Sequence, residues 1–166
     1  MSDLKSLMLR EPRLTLAVAE SLTCGRLQAR IGAISGASEF FLGGMTAYSL
    51  EQKVRHLGVD RAAAEAVNSV SGPVAEQMAK GACALFGADV GIGTTGYAEP
   101  SAQWNIDEPF AWWGLARRLP SGSFETLLGR VDCTGLSRVD VQERVAGAAL
   151  DALAGWLREP AAADTP

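Results

Sequence analysis

A chain of 166 residues with 48% hydrophobic content has apolar matter for one sizeable core and too little length for two. Its net charge of -4, with no clustered Lys and Arg beyond Arg117-Arg118 (read as a solvated strand end), excludes a partner held by many phosphate contacts, so no nucleic acid is expected. Three scattered cysteines, Cys24, Cys83 and Cys133, share no ligand spacing with the lone His56, and no leader or apolar run of about eighteen residues is visible, so a reducing cytoplasm, no membrane and no metal are expected.

In chain order, residues 2–10 read as a helix opened by Ser2 and stopped at Glu11-Pro12. Residues 14–21 form a continuous apolar run, the mark of a strand covered on both faces. Leu27, Ile31 and Ile34 recur at helical intervals within 23–34, with Thr23 as the candidate N-cap. A second strand over 40–49 is interrupted by Gly43-Gly44, where a bulge is expected. A short helix carrying Lys53, Val54 and Leu57 ends at Gly58, and residues 61–67 are Ala-rich and helical. Val70-Ser71-Gly72-Pro73 opens a longer helix that closes at Gly87.

Residues 88–96 give a third buried strand running into a turn, and 97–109 form a loop. Two strand-like runs joined by Pro120-Ser121-Gly122 read as an antiparallel hairpin, and 136–157 as a long amphipathic helix. The pattern predicts a single-domain α/β fold, a mixed β-sheet flanked by helices on both faces. Its parts are an N-terminal helix over 1–11, the α/β domain over 12–158 and a flexible tail over 159–166.

Open α/β sheets hold ligands beyond the carboxyl ends of their strands, which directs attention to three segments. Gly91 to Gly96 matches the dinucleotide pattern G-x-G-x-x-G, but a loop rather than a helix follows, so the glycines read as thinning the strand for packing. Glu20 to Gly25 joins a strand end to a helix start, where an anion seat and ordinary capping are both open readings. Ser38, Tyr48 and Lys53 have the residue types for amide hydrolysis without His, since a desolvated lysine can take a hydroxyl proton; a turn serine, a surface aromatic and a solvated charge are the alternative. Arg138 stands at the start of the last helix, a poor place for a cation, and implies either a bound anion or a salt bridge.

Taken in order, Ala19-Glu20-Ser21-x-Thr23-x-Gly25, Gly36-Ala37-Ser38, Tyr48-Ser49 with Lys53, Leu57-Gly58-Val59, Val70-Ser71 with Met78-Ala79, and Thr95-Gly96-x-Ala98-x-Pro100 resemble the CinA C-terminal domain family over roughly residues 12 to 157. The resemblance implies an amidohydrolase converting nicotinamide mononucleotide to nicotinate mononucleotide and ammonia, a step of the pyridine nucleotide cycle, with no cofactor, in a domain that self-associates as a homo-oligomer. A non-catalytic relative that binds a nucleotide-like small molecule or a partner is the alternative. By position Ser38 resembles the nucleophile, with Ser21 the competing choice, Lys53 its base and Tyr48 a supporting hydroxyl. Ser21, Thr23, Gly25, Thr95 and Gly96 match pocket-lining positions and Arg138 the arginine near the substrate phosphate. The chain departs from the pattern at Cys24, expected to narrow the pocket, and at Glu99, which brings a carboxylate to a glycine position.

Overall fold

The computed structural model describes residues 3–160, so Ser2 as a cap and most of the expected tail lie outside the described residues. A five-residue strand β1 (Leu16–Glu20), fully buried, lies inside the sheet, next to one edge. It pairs in parallel with β2 (Phe41–Thr46) on one side and β3 (Val90–Tyr97) on the other. Antiparallel to β3 runs β4 (Phe110–Arg118), which forms the expected hairpin with β5 (Phe124–Asp132), giving the order β2-β1-β3-β4-β5. The register slips between Leu16 and Ala17 opposite Phe41 and Gly43, the irregularity announced by the glycine pair.

Strand alternation divides the core into two layers. Leu16, Val18, Ile92 and Leu115 point to the face covered by helices α1 (Leu4–Leu9), α2 (Arg26–Gly32) and α6 (Arg138–Arg158), where Met8, Leu27 and Leu153 are fully buried. Ala17 and Ala19 point to the other face, under α3 (Leu50–Leu57), α4 (Arg61–Glu65) and α5 (Gly72–Phe86).

That second face is built of small residues for a reason. A Cβ placed on Gly91 would lie 2.1 Å from Ala79 O, and one on Gly93 would lie 2.2 Å from Ala75 O, so the strand glycines let α5 press its backbone onto β3. These are the glycines of the apparent dinucleotide motif, and close packing is their role. Gly93→Ala is expected to cost about 1–3 kcal/mol through overpacking, read as a lower urea midpoint at unchanged slope.

The structure corrects several expected boundaries. Helix α2 starts at Arg26 after a turn, with Gly25 rather than Thr23 in the N-cap position. Strand β3 starts two residues later than expected, at Val90, and runs one residue further, to Tyr97, which still pairs with Phe110 of β4. Arg117 is not a solvated strand end: it is 5% exposed, bonded through Nε and Nη2 to Glu125 Oε2 at 3.0 and 2.7 Å, and lies 4.6 Å from the centre of the Trp156 ring. Caps are otherwise as the residues predict, with Ser71 Oγ accepting from Val74 N–H and Gly58 and Gly87 closing α3 and α5 with positive φ. Among the described residues no helix is long and apolar enough to cross a membrane.

Candidate active site

The connections leaving the carboxyl ends of β1 and β3 part in opposite directions: α2 leads from β1 to β2 on one side, whereas the loop over 98–109 leads from β3 to β4 on the other. The chain therefore opens a crevice between the carboxyl ends of β1 and β3, the place where such sheets receive ligands. A cavity of about 410 Å³ lies there, lined by Ser21, Lys53, Ser69, Gly96, Glu99 and Arg138 among others.

Consecutive residues at the end of β1 take opposite faces and opposite tasks. The fully buried Glu20 carboxylate accepts hydrogen bonds from the N–H groups of Gly25 at 3.0 Å, Leu27 at 3.1 Å and Gln28 at 3.0 Å, and from Gln28 Nε2 at 3.1 Å. It fills the donors at the start of α2 that Thr23 was expected to cap. Ser21, on the other face, is fixed by donating its N–H to Thr94 O at 3.0 Å, and its hydroxyl turns towards α3.

Lys53 meets that hydroxyl. On α3 it occupies the stripe of Leu50 and Leu57 that faces the core, and it is only 2% exposed. Its Nζ lies 2.9 Å from Ser21 Oγ and 3.2 Å from the carbonyl oxygen of Tyr48, with no carboxylate bonded to it among the described residues. Burial lowers its pKa from the ordinary 10.5 to about 8, because the charged form has been taken out of water. An amine of this kind is available in the neutral form near physiological pH and can accept the serine proton.

Ser38 stands elsewhere. It is exposed, in the 3-10 turn Ala37–Glu39, and two residues later Phe40 O accepts from Leu16 N–H at the start of β1. Ser21 follows the last residue of the same strand, so the two serines sit at opposite ends of β1, roughly 16 Å apart along it. Lys53 is brought to Ser21 and not to Ser38, which corrects the leading expectation in favour of its competitor.

Tyr48 also differs from expectation: its carbonyl holds the lysine, while its hydroxyl, on a side chain 55% exposed, accepts from Arg138 Nη2 at 2.7 Å. Arg138 Nη1 donates to Glu99 Oε1 at 2.7 Å, while the nearby Asp140 accepts from the hydroxyl of the capping Ser137. The anion implied by a cation at the start of α6 is therefore supplied by the chain itself. Thr23 is buried away from the cavity, sharing a 2.8 Å hydrogen bond with Thr94, and Gly25 serves α2. Cys24 faces outward on the turn at φ 50° and does not narrow the cavity.

Thr95 and Gly96 do line it. Thr95 Oγ1 donates to Ser69 O at 2.6 Å, and Asn68 Nδ2 donates to the Tyr97 hydroxyl at 3.1 Å, tying the link between α4 and α5 to β3. Asn68 and Ser69 both hold positive φ, 48° and 60°, and line the cavity; asparagine's tolerance of that conformation, between two helical stretches, is the signal that could have found them. After Ser21 the chain leaves the sheet, and Ser21 O accepts from Cys24 N–H at 3.2 Å. The β1–β3 ladder ends at Glu20 opposite Thr94, while Gly96 still pairs with Ala111 of β4, so Gly96 edges the gap where β1 has turned off.

The profile of the CinA C-terminal domain matches residues 1–157. The chain belongs to the CinA C-terminal domain family. A CinA-like protein of Chlorobium limicola is 39% identical over 154 residues, which cover 92% of this chain and 35% of that protein. A CinA-like protein of Chlorobaculum tepidum is 40% identical over 154 residues, covering 92% of this chain and 36% of that protein. The chain thus spans about a third of the length of these CinA-like relatives. The crystal structure of the competence damage-inducible protein A of Klebsiella pneumoniae superposes with a TM-score of 0.82 at 28% identity, covering 95% of this chain and 94% of that one. The mixed five-stranded sheet with its flanking helices is the CinA fold.

Proposed function

We propose that this CinA domain is a serine amidohydrolase that converts nicotinamide mononucleotide, or a related small carboxamide, to the carboxylate and ammonia. The observation that carries the reading is Lys53 Nζ at 2.9 Å from Ser21 Oγ, buried, with burial alone holding its pKa down to about 8. Neutral Lys53 takes the hydroxyl proton as Ser21 Oγ attacks the carboxamide carbon. The developing oxyanion is met by the backbone N–H of Gly96, which lines the cavity beside the gap where β1 quits the sheet. Protonated Lys53 then returns the proton to the departing nitrogen, which leaves as ammonia and an ester on Ser21. Water, deprotonated by the same amine, cleaves the ester and restores the hydroxyl.

Ammonia release from nicotinamide mononucleotide and from simpler pyridine carboxamides tests the reading. Ser21→Ala is expected to abolish release, while Ser38→Ala leaves it within about twofold of the parent. Equal loss in both variants, or retention in Ser21→Ala, overturns the assignment. A second reading, a binder without turnover, draws on the engagement of Arg138 by Glu99; it requires a ligand-induced rise in melting temperature with no product formed.

A further inference from the structure

We infer that Glu99 makes this site select a carboxamide without a phosphate group, uncharged or cationic, over its phosphorylated counterpart; the inference rests on the amidohydrolase reading and narrows its substrate class. Among the described residues the charged side chains lining the cavity are Lys53, Glu99 and Arg138. Lys53 is buried and turned into the dyad, its Nζ on Ser21 Oγ and Tyr48 O. Arg138 is the exposed cation of that lining, and its charge is already matched by Glu99, whose Oε1 lies 2.7 Å from Nη1.

The geometry of that match matters as much as the charge. A guanidinium recognises phosphate by presenting two parallel N–H arms to two oxygens. Here Nη1 is on Glu99 and Nη2 on the Tyr48 hydroxyl, each at 2.7 Å, so an incoming dianion must share the guanidinium with these partners or displace them. A phosphate that displaced Glu99 would still have that carboxylate as a near neighbour, with like charges opposed. A riboside whose pyridinium ring bears a positive charge meets the opposite situation, since Glu99 and the tyrosine hydroxyl both favour it at the mouth.

The test compares nicotinamide mononucleotide with its dephosphorylated riboside. Binding of each is titrated calorimetrically to Ser21→Ala, in which turnover does not interfere, with Glu99 intact and as Glu99→Gln. With Glu99 intact the riboside is expected to bind at least about tenfold more tightly than the mononucleotide. Glu99→Gln, isosteric and on an exposed side chain, is expected to shift that ratio by about tenfold towards the mononucleotide, and Glu99→Asp to keep the parental preference. Tighter binding of the mononucleotide with Glu99 intact, or an unchanged ratio in Glu99→Gln, overturns the inference. Riboside turnover by the parent chain with such a ratio would leave the amidohydrolase reading standing, whereas failure to bind or turn over either compound would remove both.

Discussion

Lys53→Met is expected to abolish amide hydrolysis and, at the same time, to make the protein more stable at pH 7. The first effect follows from removing the base and acid of every step, and a loss of at least about 10³-fold in kcat/KM is expected. The second follows from what burial does to the amine. The folded pKa is about 8 against the ordinary 10.5, so keeping the lysine protonated in the folded state at pH 7 costs about 3 kcal/mol. Methionine fills similar space without that cost, and after allowance for the lost bonds to Ser21 Oγ and Tyr48 O a gain of about 1–3 kcal/mol remains.

The pH dependence separates this account from a purely structural lysine. Because the folded pKa lies below the unfolded one, the unfolded chain holds more protons between about 8 and 10.5, and the parent gains stability as pH rises through that window. The methionine variant loses that component of the rise. For the reaction, kcat/KM of the parent should climb with pH and level off above about 8, as the neutral amine becomes the dominant form. Stability curves from urea titration at several pH values, beside the rate profile, check both limbs. A lysine that the variant cannot replace without unfolding the chain, together with a flat rate profile, would sink the role assigned to it.

Glu20→Ala is expected to give the largest loss of stability, about 3–5 kcal/mol, a large share of the 5–15 kcal/mol typical of a domain. The carboxylate satisfies three backbone donors at the start of α2 from inside a fully buried strand end, and water cannot replace it there. Glu20→Gln keeps the shape but sets an amide against donors, and an intermediate loss follows. Urea denaturation orders the three proteins; a loss in Glu20→Ala under about 1 kcal/mol would mean that α2 holds its place without the strand's carboxylate.

The elements that period and punctuation specify strongly were legible in the residues: the apolar run of β1, the Ser71-to-Gly87 helix, the Pro120–Gly122 hairpin and the long closing helix. The buried amine was legible too, since Lys53 stands on the helical stripe of Leu50 and Leu57 at a core position. Its serine partner was not. Ser21 and Ser38 flank β1 at its two ends, and only the parallel topology, which delivers α3 to the carboxyl end, decides which of them the amine meets. The cation at the start of α6 signalled an anion, but Glu99 lies 39 positions earlier in the chain, beyond the reach of local pattern. The helix cap was missed because strand alternation, rather than the loop, aims Glu20 back at α2.

The crevice owes its existence to wiring. It opens because the connections from two neighbouring strands depart in opposite directions, and no lining side chain is needed to prop it apart. Substitutions at its rim, such as those at positions 48, 99 or 138, therefore alter what is admitted while leaving the excavation itself in place. A designer wishing to retarget this scaffold would keep β1, α3 and the glycine seam under α5 fixed, and vary the mouth alone.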